Sequence, residues 1–175
     1  MVTPESTGAG EPGEVPVSLP LLREVALFGG LPDDVLESFA ATLATRHVAA
    51  GTVVFEEGEK ASSLYVLLAG EAEVMKHSKS GREHRVALLG PMDTFGEMSM
   101  IDVQPRSATV RAVAPARIMR IRSEDIDRLY RQDMKSYALL ILNIARDLSR
   151  RLRVADGILA DVAGTVIDRY AGARG

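Results

Sequence analysis

Between Phe95 and Val110 the chain brings together a glycine, a carboxylate, an arginine and a hydroxyl at spacings that suit capture of an anionic ligand. Gly96 permits close approach of the backbone, and Glu97 to Ile101 can form a helical turn whose opening amides converge on whatever sits before them. Nine residues beyond Glu97 comes Arg106, held by Pro105 before it and followed by Ser107 and the small Ala108, which leaves room beside the guanidinium. A planar fork with converging amides fits a phosphate diester. A carboxylate near a bound anion is unfavourable unless it accepts hydrogen bonds from neutral donors on the same ligand. A sugar hydroxyl is such a donor, so Glu97 with Arg106 fits a ribose phosphate. The same two side chains could instead form an ordinary ion pair at the base of a loop, worth about 0 to 1 kcal/mol. The residue types leave both readings open.

The elements that must position this segment follow from the texture on either side. Between His47 and Arg122, short apolar runs broken by turn residues are the pattern of an antiparallel sandwich or barrel. The spacing predicts strands over 52–56, 63–68, 71–77, 84–89, 108–112 and 116–121, with positive φ at Gly58 and Gly70. Upstream, an apolar stretch from Leu21 to Phe28 ends at Gly29 and Gly30, and Pro32 with Asp33 and Asp34 opens a helix running to about Ala44. Downstream, the Ser123 hydroxyl with Glu124 and Asp125 caps a short helix to about Arg131. A longer helix starts at Met134. Ile141, Ile144, Leu148, Leu152, Ala155, Leu159, Val162 and Val166 recur on it at steps of 3 and 4, a seam for pairing with a second helix. The seam outlasts a small barrel, which favours a homodimer through residues 138–163 over a helix lying on its own barrel. Gly157 and Gly164 mark places for fraying or a hinge. Three units are expected: a disordered tail over 1–18, one domain over 19–163, and a short tail over 164–175.

Composition narrows the classes. The 175 residues are 46% apolar and 26% charged, the balance of a globular domain. The net charge of −3 resides in Glu5, Glu11 and Glu14 of the first twenty residues, leaving 21 basic against 21 acidic in the rest. A neutral body argues against direct DNA binding, which draws on basic excess. The chain has no cysteine, which excludes disulfides, thiolate metal sites and cysteine nucleophiles. His47, His77 and His84 lack carboxylate neighbours at metal-ligand spacing and read as sheet or surface positions. With no metal expected, and no nucleophile or second carboxylate beside Glu97, enzymatic chemistry is not expected. No secretion signal or membrane-spanning run is readable, so a cytoplasmic address and no membrane partner are expected.

The run from Phe95 to Val110 resembles the phosphate-binding cassette of cyclic nucleotide-binding domains, whose pattern is F-G-E, a short helix, then P-R-S/T/A-A-T-V. Gly51, Phe55, Gly58, Tyr65, Gly70 and Val74 upstream and Ala145 to Leu152 downstream support the likeness, which covers residues 21 to about 160 and is nearest to the sensory half of bacterial regulators of the catabolite activator type. The resemblance implies an α+β fold: a double-stranded β-helix (jelly-roll) barrel with short N-terminal helices and a long C-terminal helix. It also implies that Glu97 binds the ribose 2′-hydroxyl and that Arg106 with Ser107 holds the cyclic phosphate. Gly96, Met98 and Ala108 would contact the ligand from the cassette. Val74, Val86, Ala87, Phe95 and Val110 would line the wall, and Arg151, Leu152, Ala155 and Asp156 would cover the base. The family often has a small hydroxyl where this chain has Ala155 and Asp156, so the base contact is altered. Cyclic AMP is the expected ligand, with cyclic GMP or a cyclic dinucleotide as alternatives, and a ligand-free protein-interaction module on the same fold as the rival. Such regulators continue into a helix-turn-helix domain; only 17 residues follow Ile158 here, so no recognition helix and no direct DNA contact are expected. The downstream protein is not readable.

Overall fold

The computed structural model describes residues 15–172, with side chains described through residue 165. Its β core is two antiparallel sheets. One holds β1 (Val15–Pro16), β2 (Ala44–Val48), β4 (Ser63–Ala69), β7 (Thr94–Phe95) and β9 (Ala116–Arg122) in the order β1-β2-β9-β4-β7. The other holds β3 (Val53–Phe55), β5 (Ala72–His77), β6 (Glu83–Leu89) and β8 (Thr109–Ala112) in the order β3-β8-β5-β6. With the helices at one side, this is the expected α+β jelly roll.

Two clusters make the core. Strand β4 is apolar and buried from Ser63 to Leu68 because both of its faces are covered. Leu64, Val66 and Leu68 face the helices together with Met119 and Ile121 of β9. Tyr65 and Leu67 point the other way, into the space between the sheets, where they meet Phe55, Phe95, Val110 and Ile118. The helices on the outer face are α1 (Leu19–Glu24), α2 (Asp33–Ala40), α4 (Ser123–Gln132) and the long α5 (Met134–Gly172), with a 3-10 turn at Ala26–Phe28. Helix α3 (Met98–Ile101) is a single turn between β7 and β8.

The six expected strands are present within a residue or two of their predicted ends, and Gly58 and Gly70 have φ of 87° and 88°. At Gly70 a side chain would also collide with the Pro115 carbonyl and Ala116. Several expectations need correction. The tail does not extend to residue 18: Val15–Pro16 pairs with Ala44 and Thr45, and Val17 is buried in the core, while residues 1–14 lie outside the described residues. Helix α2 ends at Ala40, not Ala44, because Leu43 folds back on the Phe39 carbonyl and Ala44 enters β2. Strands β2 and β7 were not predicted; β2 carries Arg46 and His47 in place of a clean apolar alternation, and β7 is two residues long. The cap of α4 is Asp125, whose Oδ2 accepts from the Arg122 amide at 3.0 Å; the helix already begins at Ser123. Helix α5 does not stop at residue 163 but continues through Gly157 and Gly164 to Gly172. Its 39 residues span about 58 Å at 1.5 Å each, and Ile144 is buried in the core while Leu152, Leu159 and Val162 are 62%, 67% and 54% exposed. The Val166 side chain lies outside the described residues. His47, His77 and His84 are exposed strand positions. Among the described residues no helix is long and apolar enough to cross a membrane.

Candidate functional site

Arg106 sits at the centre of the β7 to β8 connection, and its main chain is fixed before its side chain acts. Its amide donates to the Glu59 carbonyl and its carbonyl accepts from the Gly58 amide, both at 2.8 Å, so the cassette loop is tied to the turn after β3. The Ser99 hydroxyl, on α3, donates to the Pro105 carbonyl at 3.3 Å and closes the loop from the other end. The side chain then runs inward and is only 5% exposed. Nη1 donates to the Gly96 carbonyl at 2.8 Å, Nη2 to the Ser63 carbonyl at 2.6 Å, and the guanidinium lies over the Phe55 ring at 4.1 Å from its centroid. Nε is buried without a hydrogen-bond partner. Burial pushes the Arg106 pKa down, opposed by Tyr65, Glu59 and Glu97. A full positive charge is thus buried against neutral carbonyls and a ring.

Gly96 is required by this geometry twice. Its φ is 78°, and a Cβ there would stand 2.7 Å from Arg106 Nη1. Glu97 follows it and is 3% exposed. Its pKa is raised, chiefly by burial, with the Arg151 charge opposing. The Glu97–Arg106 ion pair left open by the sequence does not form: the Glu97 carboxylate accepts instead from Arg151 Nη1, on α5, at 3.3 Å. Arg151 Nη2 donates to the Thr94 carbonyl and lies 2.8 Å from Asp147 Oδ2. Of the four arginines at 146, 150, 151 and 153 on α5, three are exposed and Arg151 turns into the protein.

A cavity of about 90 Å³ opens at this point. Expected site residues Val74, Phe95, Gly96, Glu97, Met98, Arg106, Ser107, Ala108, Val110 and Arg151 all line it. A second, wider and mainly apolar groove of about 460 Å³ lies between α3 and α5, where Leu152 and Ala155 face Met98 and Ile101. Glu97, Met98 and Arg151 border both spaces, so Arg151 stands between them. Three expected residues fall elsewhere. Val86 is the extra residue of a bulge in β6 and is 58% exposed, Ala87 is exposed beside it, and Asp156 is on the exposed flank of α5; none of them lines either space. Strand β6 is the edge of its sheet and is exposed from Glu83 to Leu88, which keeps both Val86 and Ala87 off the wall.

Sequence reasoning missed Phe55, Leu89 and Ser99, which also line the cavity, and Leu148 and Ile101 in the groove. Phe55 was legible only as part of a pattern; its ring neighbours Tyr65 and Phe95, tilted against it at 5.8 and 6.0 Å between centroids, come from two other strands. The expected amide cluster is reduced to the one turn of α3, too short for a sizeable dipole, so the electrostatics of the site rest on Arg106 and Arg151.

Residues 45–133 match the cyclic nucleotide-binding domain family. The chain is 28% identical over 151 residues to the CRP-like cAMP-activated global transcriptional regulator of Mycobacterium tuberculosis, covering 83% of this chain and 66% of that one. It is 33% identical over 130 residues to the cyclic AMP receptor protein of Thermus thermophilus, covering 74% and 58%. In both cases the chain spans less than two thirds of the relative's length. A cyclic nucleotide-binding domain from Methylobacillus flagellatus shares the fold, with a TM-score of 0.73, 24% identity, and coverage of 82% of this chain and 81% of that one.

Proposed function

The chain belongs to the cyclic nucleotide-binding domain family, and we propose that it is a sensor of a cyclic nucleotide, cyclic AMP in the first place, that reports binding through its long helix and not through catalysis. The observation that carries this reading is the buried Arg106 guanidinium, held by two carbonyls with Nε unpartnered. A buried cation without an ionic partner is costly, and a bound monoanion supplies the missing charge. The cyclic phosphate takes the Arg106 and Ser107 end, the ribose 2′-hydroxyl donates to Glu97, and Gly96, Met98 and Ala108 close around the ring. Val74, Phe95 and Val110 provide wall contacts, and the base extends toward Arg151, Leu152 and Ala155. The names of the mycobacterial and Thermus relatives support cyclic AMP as the ligand.

A ligand that touches the cassette and Arg151 together binds one placement of α5 better than another and shifts the population toward it. The exposed apolar residues of α5 beyond Leu152 support a homodimer through that helix, and the neutral charge of the body supports a readout by protein contact, without direct DNA contact by these residues. A second reading, a ligand-free interaction module, is favoured by two features: Arg151 already engages Glu97, and Ala155 offers no hydroxyl to a base. Thermal shift with cyclic AMP, cyclic GMP and a cyclic dinucleotide separates them. A dose-dependent rise in Tm with one of the first two is the expected result, a rise with the dinucleotide alone replaces the ligand, and no shift with any favours the module.

A further inference from the structure

Asp147 lies one turn before Arg151 on α5, and the i,i+4 spacing puts the two on one helix face. Its Oδ2 stands 2.8 Å from Arg151 Nη2, while Oδ1 accepts from Arg150 at 3.0 Å. Asp147 also lines the recess beside Thr94 and Glu97, so it faces the site, with 28% of its side chain exposed. The Arg151 guanidinium is therefore fixed at three points: Asp147 on its own helix, the Thr94 carbonyl on β7 and Glu97 at the start of α3. A free arginine side chain on a helix flank loses much rotamer freedom when it is ordered. Asp147 removes part of that loss before any ligand arrives. We infer that Asp147 is a positioning residue for the nucleotide site, holding Arg151 in the place where it spans the boundary between the phosphate cavity and the α3–α5 groove. This rests on the sensor reading above.

The sign of the effect is diagnostic. Asp147 is an anion near the place of another anion, so its charge alone opposes binding, and neutralising it should strengthen affinity if electrostatics were its whole role. Positioning demands the opposite. Calorimetric titration of cyclic AMP, with cyclic GMP beside it, into the full chain and its variants tests this. Asp147→Asn is expected to weaken binding about two- to fivefold, in the range for a partly exposed ion pair. Asp147→Glu, which keeps the negative charge, is expected to restore most of that loss, and the ligand-free Tm should stay with the wild type. In an Arg151→Ala background, Asp147→Asn should cause no further loss. Unchanged or tighter binding by Asp147→Asn, or an equal loss with Arg151 already removed, overturns the inference while leaving the sensor intact. A wild-type chain that binds neither nucleotide overturns the reading beneath it.

Discussion

At the scale of single residues, the site is built from two buried charges that do not neutralise each other. Arg106 is held by carbonyls, and Glu97 by the partly exposed Arg151. Burial raises the Glu97 pKa above the usual carboxylate value of 4.5, so the folded chain holds this proton more tightly than the unfolded chain does. The stabilisation from protonated Glu97 is complete below that usual value and is lost as pH climbs through the raised one. Glu97→Gln, neutral at every pH, should therefore raise Tm over the wild type near neutral pH, with the advantage shrinking toward about pH 4. Nucleotide affinity should run the other way. The ionised carboxylate is the better acceptor for a ribose hydroxyl, so wild-type binding should fall as Glu97 takes up its proton, and Glu97→Gln should bind more weakly with a flatter pH profile. Thermal melts and titrations across the acid range check both; a Tm gain that grows on acidification would contradict the buried-carboxylate account.

At the scale of elements, the cassette was legible because its chemistry is local: Gly96, Glu97, Arg106 and Ser107 lie within twelve residues, and the structure brings all four to one cavity. What the sequence did not disclose is set by distant pairing. The exposure of Val86 and Ala87 follows from the place of β6 at the edge of its sheet, and β2 and β7 are held by partners distant in sequence, β2 by β1 and β9 and β7 by β4. The inward turn of Arg151 has the same origin, since its acceptors Thr94 and Glu97 are more than fifty residues away. Helix α5 is joined to the N-terminal turn in an equally non-local way. Asn143 Nδ2 donates to the Leu27 carbonyl at 3.0 Å and the Gly29 carbonyl at 2.9 Å. Asn143→Ala leaves both acceptors to water and should cost about 1 to 2 kcal/mol of folding stability, read by urea titration. No loss would show that these two hydrogen bonds do not help hold α5 to the domain.

At the scale of the whole molecule, α5 leaves the domain carrying Leu152, Val154, Ile158, Leu159 and Val162, each more than half exposed. An apolar stripe of that length on one helix is a surface that a second copy of the chain can cover. Light scattering should give twice the chain mass for the wild type and the chain mass for Leu152→Glu with Leu159→Glu, while a monomeric wild type would remove the dimer from the account. The claim on which the rest depends is that the whole chain binds a cyclic nucleotide through Arg106. Isothermal titration of cyclic AMP into the wild type and Arg106→Ala measures it directly. The account predicts saturable wild-type binding and a loss of about 1.5 to 3 kcal/mol, roughly ten- to more than a hundredfold, in the variant; equal affinity in the two proteins would contradict it.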